Sequence, residues 1–477
     1  MRTSQRIFKN TVVLLISSFL AQLLNFLVIV YLARVLAPEG FGKISFAMAF
    51  VSYFSLLSDL GLTLLGTRTV ARERDRVNEY LGLILSMRLV LAIVSYGLLS
   101  LTVVLLEHQQ QTRYLIFLYG FGIVANALLL DWAYQGVEEM EYISVGRVLS
   151  AGLYVSLVFF FIRGARAILY LPCIQVAANL VSALLFLYVF IKRHGKPKLE
   201  NLVKRWKLLF FEALPLGVTL IMGKLISNSG MVLLGFLRSD AEVGYYSASY
   251  KIILPLIRVG SIFFNAVFPV ISKYYITSHK SLQRLQSISA RLITIIAIPM
   301  VISGILLARP IMIVFYGDTY IEGVVAFKLL IWVVALTYVN SIYGRGMMAC
   351  NRQKEFMKIV LVQAAVNIGM NCVLVPFFGI IGAAISNISA EFLGFFFYYR
   401  GFNKVVRLPI HDKLLRPLIA SAPMAALILY INYIELAEDI SLMISVASGF
   451  VVYILTLMLI KGITKNDLRL VAGIFKK

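Results

Sequence analysis

Acidic residues are scarce in this sequence. Only 23 Asp and Glu stand among 477 residues, against 45 Lys and Arg, and charged residues total 14%. A soluble chain of this length carries roughly a quarter charged residues. A hydrophobic share of 60% does not fit one water-soluble core either, because such cores stop growing at about 250–300 residues. Cysteine is nearly absent, and Cys173, Cys350 and Cys372 form no CxxC pair. A disulfide framework and a zinc site are thereby set aside. The histidines (His108, His194, His279 and His411) fall in separate segments, and no HExxH, P-loop or nucleophile-elbow pattern occurs. No cofactor is expected, and no catalytic acid/base set is visible.

What is present is a succession of apolar runs, with a mean hydropathy of +0.87. A helix needs about 20 apolar residues to cross the hydrocarbon of a bilayer. The runs predict spans at 11–35, 41–66, 81–106, 113–135, 146–163, 168–191, 209–237, 243–271, 290–316, 323–349, 356–378, 379–402, 414–433 and 440–461. The chain is thus expected to be all-α and integral to a membrane, with about fourteen transmembrane helices. The fifth span is short, and a break near Gly379 must divide a long apolar run. Arg2, Arg6 and Lys9 precede the first run as in a signal peptide, but that run exceeds the usual 7–15 residues. It reads as a retained first span.

The net charge of +22 would suggest nucleic acid in a soluble chain. Here the basic residues sit in short loops, where they orient the helices and meet anionic headgroups, so no nucleic-acid partner is expected. Basic clusters recur at Arg68 to Arg76, Lys192 to Lys207, Lys404 to Arg416, and Lys476 with Lys477. The alternate turns, such as NYIELAEDIS, are nearly bare. This alternation places both ends of the chain in the cytoplasm. No outside turn is large enough to carry catalytic groups, so the work must be done within the helix bundle.

The chain shows a weak internal repeat. A shift of 202 residues sets Val232, Leu234, Gly244 and Ser247 opposite Val30, Leu32, Gly42 and Ser45, each around a short acidic turn. Six spans per copy would enter the membrane in the same orientation, as a parallel repeat. The expected organisation is a lobe over 1–200, a second over 201–403, and two additional spans with a basic tail over 404–477.

Ionisable residues within spans are costly and face a cavity or a partner. Lys251 and Arg258 are seven apart, two helical turns, on one face about 10 Å apart along the axis, with Ser247 one turn before. Lys224 lies mid-span with Asn228 one turn on. Lys224, Lys251 and Arg258, with Asn228 and Ser247, are the candidate substrate-binding set. The alternative for the cations is ion pairing or snorkelling to the interface. Ser45, Ser52 and Asp59 form a polar stripe that equally suits helix packing. Asp59, Arg88 and Asp131 are candidates for an inner gate of ion pairs or, the preferred reading, for holding the first lobe together. Glu391, mid-span, is a candidate for binding a proton or Na⁺, or for neutralising a lysine.

The stretch from Leu32 to Leu62, LARVLAPEGFGKISFAMAFVSYFSLLSDLGL, resembles the polysaccharide flippase branch of the multidrug/oligosaccharidyl-lipid/polysaccharide exporter superfamily. So do Thr67-Arg68-Thr69-Val70-Ala71-Arg72 and IMIVFYGDTY from Ile311 to Tyr320. The resemblance implies two six-helix lobes forming a V-shaped, cationic cavity in the cytoplasmic (inner) membrane. It implies flipping of polyprenyl-diphosphate-linked glycans by alternating access, with a polymerase or other polysaccharide-assembly proteins as partners. The related lipid II flippases carry arginines in the first span, whereas no Lys or Arg lies between Asn10 and Tyr31 here. That difference favours O-antigen, capsule or exopolysaccharide repeat units. The competing expectations are a cation-coupled multidrug exporter of the same superfamily and a membrane polysaccharide polymerase or ligase.

Overall fold

A computed structural model describes residues 3–105, 108–198, 202–408, 411–434 and 436–462, without the side chains of 3–15, 202–204, 219 and 411–412. The basic groups of Arg2, Arg6, Lys9, Lys204, Lys476 and Lys477 lie outside the described residues. Among those described, the regular structure is helical throughout. The helices are α1 (Thr3–Asp59), α2 (Leu62–Arg72), α3 (Val77–Leu105), α4 (Gln110–Ala127), α5 (Asp131–Gly136), α6 (Met140–Phe161), α7 (Tyr170–His194) and α8 (Leu202–Leu237). They continue as α9 (Asp240–Thr277), α10 (His279–Leu306), α11 (Ala308–Tyr316), α12 (Gly323–Ala349), α13 (Gln353–Asn403), α14 (His411–Tyr433) and α15 (Glu438–Leu459).

Twelve helical stretches among the described residues are long and apolar enough to cross a membrane. Two of them, of 57 and 51 residues, are about twice the needed length. Each holds a break that divides it into two spans. Ala37 takes φ 55° and ψ 175° just before Pro38, where proline disfavours the helical conformation of its predecessor. Gly379 takes φ 53° and ψ −127°, a region open to glycine. Twelve stretches plus two breaks give the fourteen spans expected. The outer surface carries large apolar side chains, among them Phe377 at 76% and Leu459 at 81% exposure. That suits lipid as the solvent, and the chain is a multi-pass membrane protein.

Several segments differ in detail from the hydropathy runs. The fifth span lengthens to the 22 residues of α6. The ninth is two helices, α10 and α11, parted at Leu307. The second stops at Asp59, turns through Leu60 (φ 42°) and Gly61 (φ 86°), and resumes as α2. Apolar character runs on through these turns, so hydropathy alone does not register them.

The chain divides into two compact units, Met1–Gly244 and Tyr245–Lys477. In the first, α1 packs on α3, α4, α6 and α8, α4 on α7, and α2 on α5 and α8. Two close backbone approaches tie α1 and its continuation to later chain. A Cβ on Gly42 would sit 1.7 Å from the Asp240 carbonyl oxygen, and one on Gly244 would sit 2.0 Å from that of Pro38. The two glycines that the 202-residue shift sets opposite each other therefore pack reciprocally. A Cβ on Gly61 would likewise meet the Ala213 carbonyl at 2.7 Å.

In the second unit, α13 folds back at Gly379 and packs on α12, while α10 packs on α12 and α14. The last two helices join α10 through an apolar cluster that includes Ile295, Met424, Ile428, Tyr453 and Leu457. The Tyr453 hydroxyl donates to the Ile295 carbonyl at 2.7 Å.

Candidate functional site

In the first unit a cavity of about 290 Å³ is walled by α1 after its break, α4, α7 and α8. Each helix presents one face to it. Met48, Ser52, Ser55 and Leu56 come from α1, and Tyr119, Ile123 and Asn126 from α4. Their three-, four- and seven-residue spacings are those of a helical face. Gln175 and Asn179 add one turn of α7, and Lys224 of α8 completes the wall. One turn beyond Lys224, the Asn228 amide donates to Ser52 Oγ at 2.8 Å, which ties α8 to α1. The structure thus brings Lys224, Asn228 and Ser52 together. Tyr119, Asn126, Gln175 and Asn179 did not stand out in the sequence because they carry no charge. Their one signal there is amides and hydroxyls repeating every four or seven residues within apolar runs.

Lys251 and Arg258 lie on α9 in the second unit. Ser247 is fully buried and offers no surface to a substrate in this conformation. Lys251, one turn on, is half-buried, and Arg258 is exposed. Arg258 makes no ion pair among the described residues. Exposure therefore grows along this face towards Arg258. Across the α9–α12 contact, Arg345 donates to Asn265 Oδ1 at 2.7 Å.

The gate candidates separate into two pairs. Arg88 Nε lies 3.4 Å from Asp59 Oδ1, while Asp131 accepts from Arg147 at 2.9 Å. Arg88 is 7% exposed and also donates to the carbonyls of Leu129 (2.9 Å) and Asn126 (3.0 Å). These carbonyls close α4, where the Asn126 oxygen also accepts from the Leu129 amide at 3.2 Å, and a cation there is favoured by the helix dipole. Asp59 also accepts from the Thr63 hydroxyl at 2.5 Å and the Thr63 amide at 3.3 Å. It therefore caps α2 across the Leu60-Gly61 turn, as short acidic side chains do at helix starts. Asp59-Leu60-Gly61-Leu62 is in this way a turn, a cap and an anchor for Arg88.

Outside the spans, Glu73 accepts from the Tyr80 hydroxyl and from Arg76, both at 2.8 Å. These bonds, the tyrosine's first, hold its carboxyl below the usual range. Arg205 at the start of α8 pairs with Glu79 of α3 at 3.1 Å.

In the second unit, Glu391 accepts from the Asn340 amide at 2.6 Å and pairs with no Lys or Arg among the described residues. Buried amides continue along the α13 hairpin. Asn367 donates to Asn387 Oδ1 at 3.3 Å, Asn387 to the Tyr246 hydroxyl at 2.6 Å, and the Tyr398 hydroxyl to Gln363 at 2.8 Å. No group of three or more His, Cys, Asp or Glu among the described residues is placed to hold a metal ion.

The helical spans, their breaks and a polar cavity inside a helix bundle define a polytopic all-helical membrane protein. A family model described as polysaccharide biosynthesis protein matches residues 7–275, more than half of the chain. The protein belongs to that family. A chain of Escherichia coli (strain K12) that bears the name O-antigen transporter is 23% identical over 381 residues, 79% of this chain and 91% of that one. The capsular polysaccharide biosynthesis protein CapF of Staphylococcus aureus is 21% identical over 415 residues, 83% of this chain and 99% of that one. Among solved structures, the lipid II flippase MurJ in an inward closed conformation superposes with a TM-score of 0.73 at 16% identity. It covers 93% of this chain and 98% of that one. An inward-facing multidrug resistance transporter of the MATE family gives 0.64 at 16% identity, covering 81% and 95%. At these identities the structural likeness speaks for the fold.

Proposed function

We propose that the protein is a flippase. It moves a polyprenyl-diphosphate-linked oligosaccharide, an O-antigen, capsule or exopolysaccharide repeat unit, from the inner to the outer leaflet by alternating access. The observation that carries this reading is the family match over residues 7–275, on a chain whose spans enclose hydrogen-bonding side chains. The physical problem is to pass a sugar diphosphate through hydrocarbon while its polyprenyl tail stays in lipid. Cations at membrane depth serve the diphosphate. Arg258 suits bidentate contact with phosphate oxygens, and Lys251 and Lys224 act as point charges. Asn228 positions α8 through Ser52.

The reading places the chain in the cytoplasmic membrane with both termini in the cytoplasm, as the basic loops suggest. Its boundary between repeats falls at 200/201, and its partners are polysaccharide-assembly proteins such as a polymerase. It is a transporter rather than an enzyme. Glu391, with an amide and no cation beside it, is the proposed coupling group for H⁺ or Na⁺.

The test is reconstitution of the full chain in liposomes carrying fluorescent polyprenyl-diphosphate oligosaccharides, followed by an external quencher or lectin. The Lys251→Ala/Arg258→Ala variant is expected to flip slower by about tenfold or more. An unchanged rate would move the diphosphate site elsewhere. Absence of flipping, with ion-driven efflux of organic cations instead, would favour the exporter reading.

A further inference from the structure

The cavity of the first unit has a chemistry unlike that of the α9 cations. Its polar lining is made of amides and hydroxyls, from Ser52, Tyr119, Asn126, Gln175 and Asn179 among others, and its one charge is Lys224. No Asp or Glu lines it. A metal ion or an organic cation is thereby disfavoured, because Lys224 would repel it and no carboxylate would offset its lost hydration. A polyprenyl tail is disfavoured too, since it would leave the amides unpaired. What fits is a neutral or anionic molecule dense in hydroxyl groups.

The wall holds unused hydrogen-bonding capacity. Tyr119, 6% exposed, has a hydroxyl with no hydrogen-bond partner among the described residues, and Gln175 Oε1 is likewise buried and unpartnered. Both atoms sit on the cavity wall, and a buried polar atom gains from a partner there. Asn179 spends one amide hydrogen on Asn126 Oδ1 at 3.3 Å, which leaves further donors and acceptors on both side chains. The rest of the wall, including Met48, Val51 and Ile123, is apolar, as the C–H face of a sugar ring requires. A volume of about 290 Å³ is at the lower end of ligand pockets, about 300–1,000 Å³. It suits a sugar ring and not a whole repeat unit.

We infer that this cavity is a sugar-ring subsite for the lipid-linked glycan. The Gln175 and Asn179 amides and the Tyr119 hydroxyl bind ring hydroxyls, and Lys224 meets an anionic group of the same molecule. The inference rests on the flippase reading. It assigns the choice of glycan to the amides and the tyrosine of the first unit, and leaves the diphosphate to Lys224, Lys251 and Arg258.

Two variants test it in the full-length protein. Gln175→Leu/Asn179→Leu removes the amides. Gly122→Leu fills the cavity, and a Cβ on Gly122 meets only Val176 Cγ2 at 3.8 Å, so the fold tolerates the added bulk. Where the double variant is not monodisperse in detergent, Tyr119→Phe takes its place. The probes are polyprenyl diphosphates carrying a fluorescent hexose, N-acetylhexosamine or uronic acid, and the same lipid without sugar. The readout is the ratio of flipping rates, glycan-bearing over bare. Wild type is expected to prefer one glycan, and the variants to lower that ratio by about tenfold, the size of one deleted buried hydrogen bond. Equal ratios in wild type and variants would overturn the subsite and leave the flippase reading standing. A wild type that moves bare and glycan-bearing lipid alike would overturn it as well. A wild type that moves none of the probes would remove both.

Discussion

Arg88 shows how much of one residue's role depends on partners distant in sequence. Its charge within an apolar run is plain to read. Its partners, Asp59 29 positions earlier and two carbonyls about 40 positions later, are not. Replacing it with leucine would leave Asp59 and the end of α4 uncompensated inside the unit. Breaking a buried ion pair costs about 3–5 kcal/mol, so Arg88→Leu should lower the melting temperature in detergent sharply. Arg88→Lys should not restore it, because one ammonium cannot span three acceptors in the guanidinium's geometry. Asp59→Asn should cost less, since an amide oxygen can still cap α2. Melting curves of the three variants decide. The uncharged cavity residues illustrate the opposite case. Gln175 and Asn179 give no charge signal, and only the meeting of four helices makes them a group.

The elements were legible where apolar length decides them and illegible where a single backbone conformation does. The tenth span, 323–349, coincides with α12, because polar residues bound it on both sides. The break at Gly379 could be placed because two spans' worth of apolar residues surround a glycine. The Leu60-Gly61 turn was hidden because apolar residues resume directly after it and Asp59 reads as one more polar residue of the stripe with Ser45 and Ser52. Four matched residues suggest a repeat, but they do not reveal that Gly42 and Gly244 pack reciprocally. Periodicity along the chain carries no information on which copies touch. That packing predicts that Gly42→Ala and Gly244→Ala each destabilise the protein by about 1–3 kcal/mol, as overpacking does. Gly152→Ala, whose Cβ meets nothing within 4 Å, should be neutral or mildly stabilising in the same melting assay.

At the scale of the whole molecule, hydropathy and loop charge carried the class of fold, because lipid imposes a length and a polarity on every span. The last two helices are more than an appendage. They cover α10 through Ile295, Tyr453 and their neighbours. A chain ending after Asn403 should therefore express poorly or melt earlier than the full chain, and a fluorescence-detected chromatogram checks this directly. The first unit has a consequence of another kind, in the order of synthesis. Ser52 finds Asn228 across 176 residues, and Gly42 waits for the turn at Asp240. At about 5–20 residues per second, some 9–35 s separate the emergence of Ser52 from that of its partner. For that time Ser52, joined later by the polar side chains of α4 and α7, lacks the α8 wall that closes the cavity.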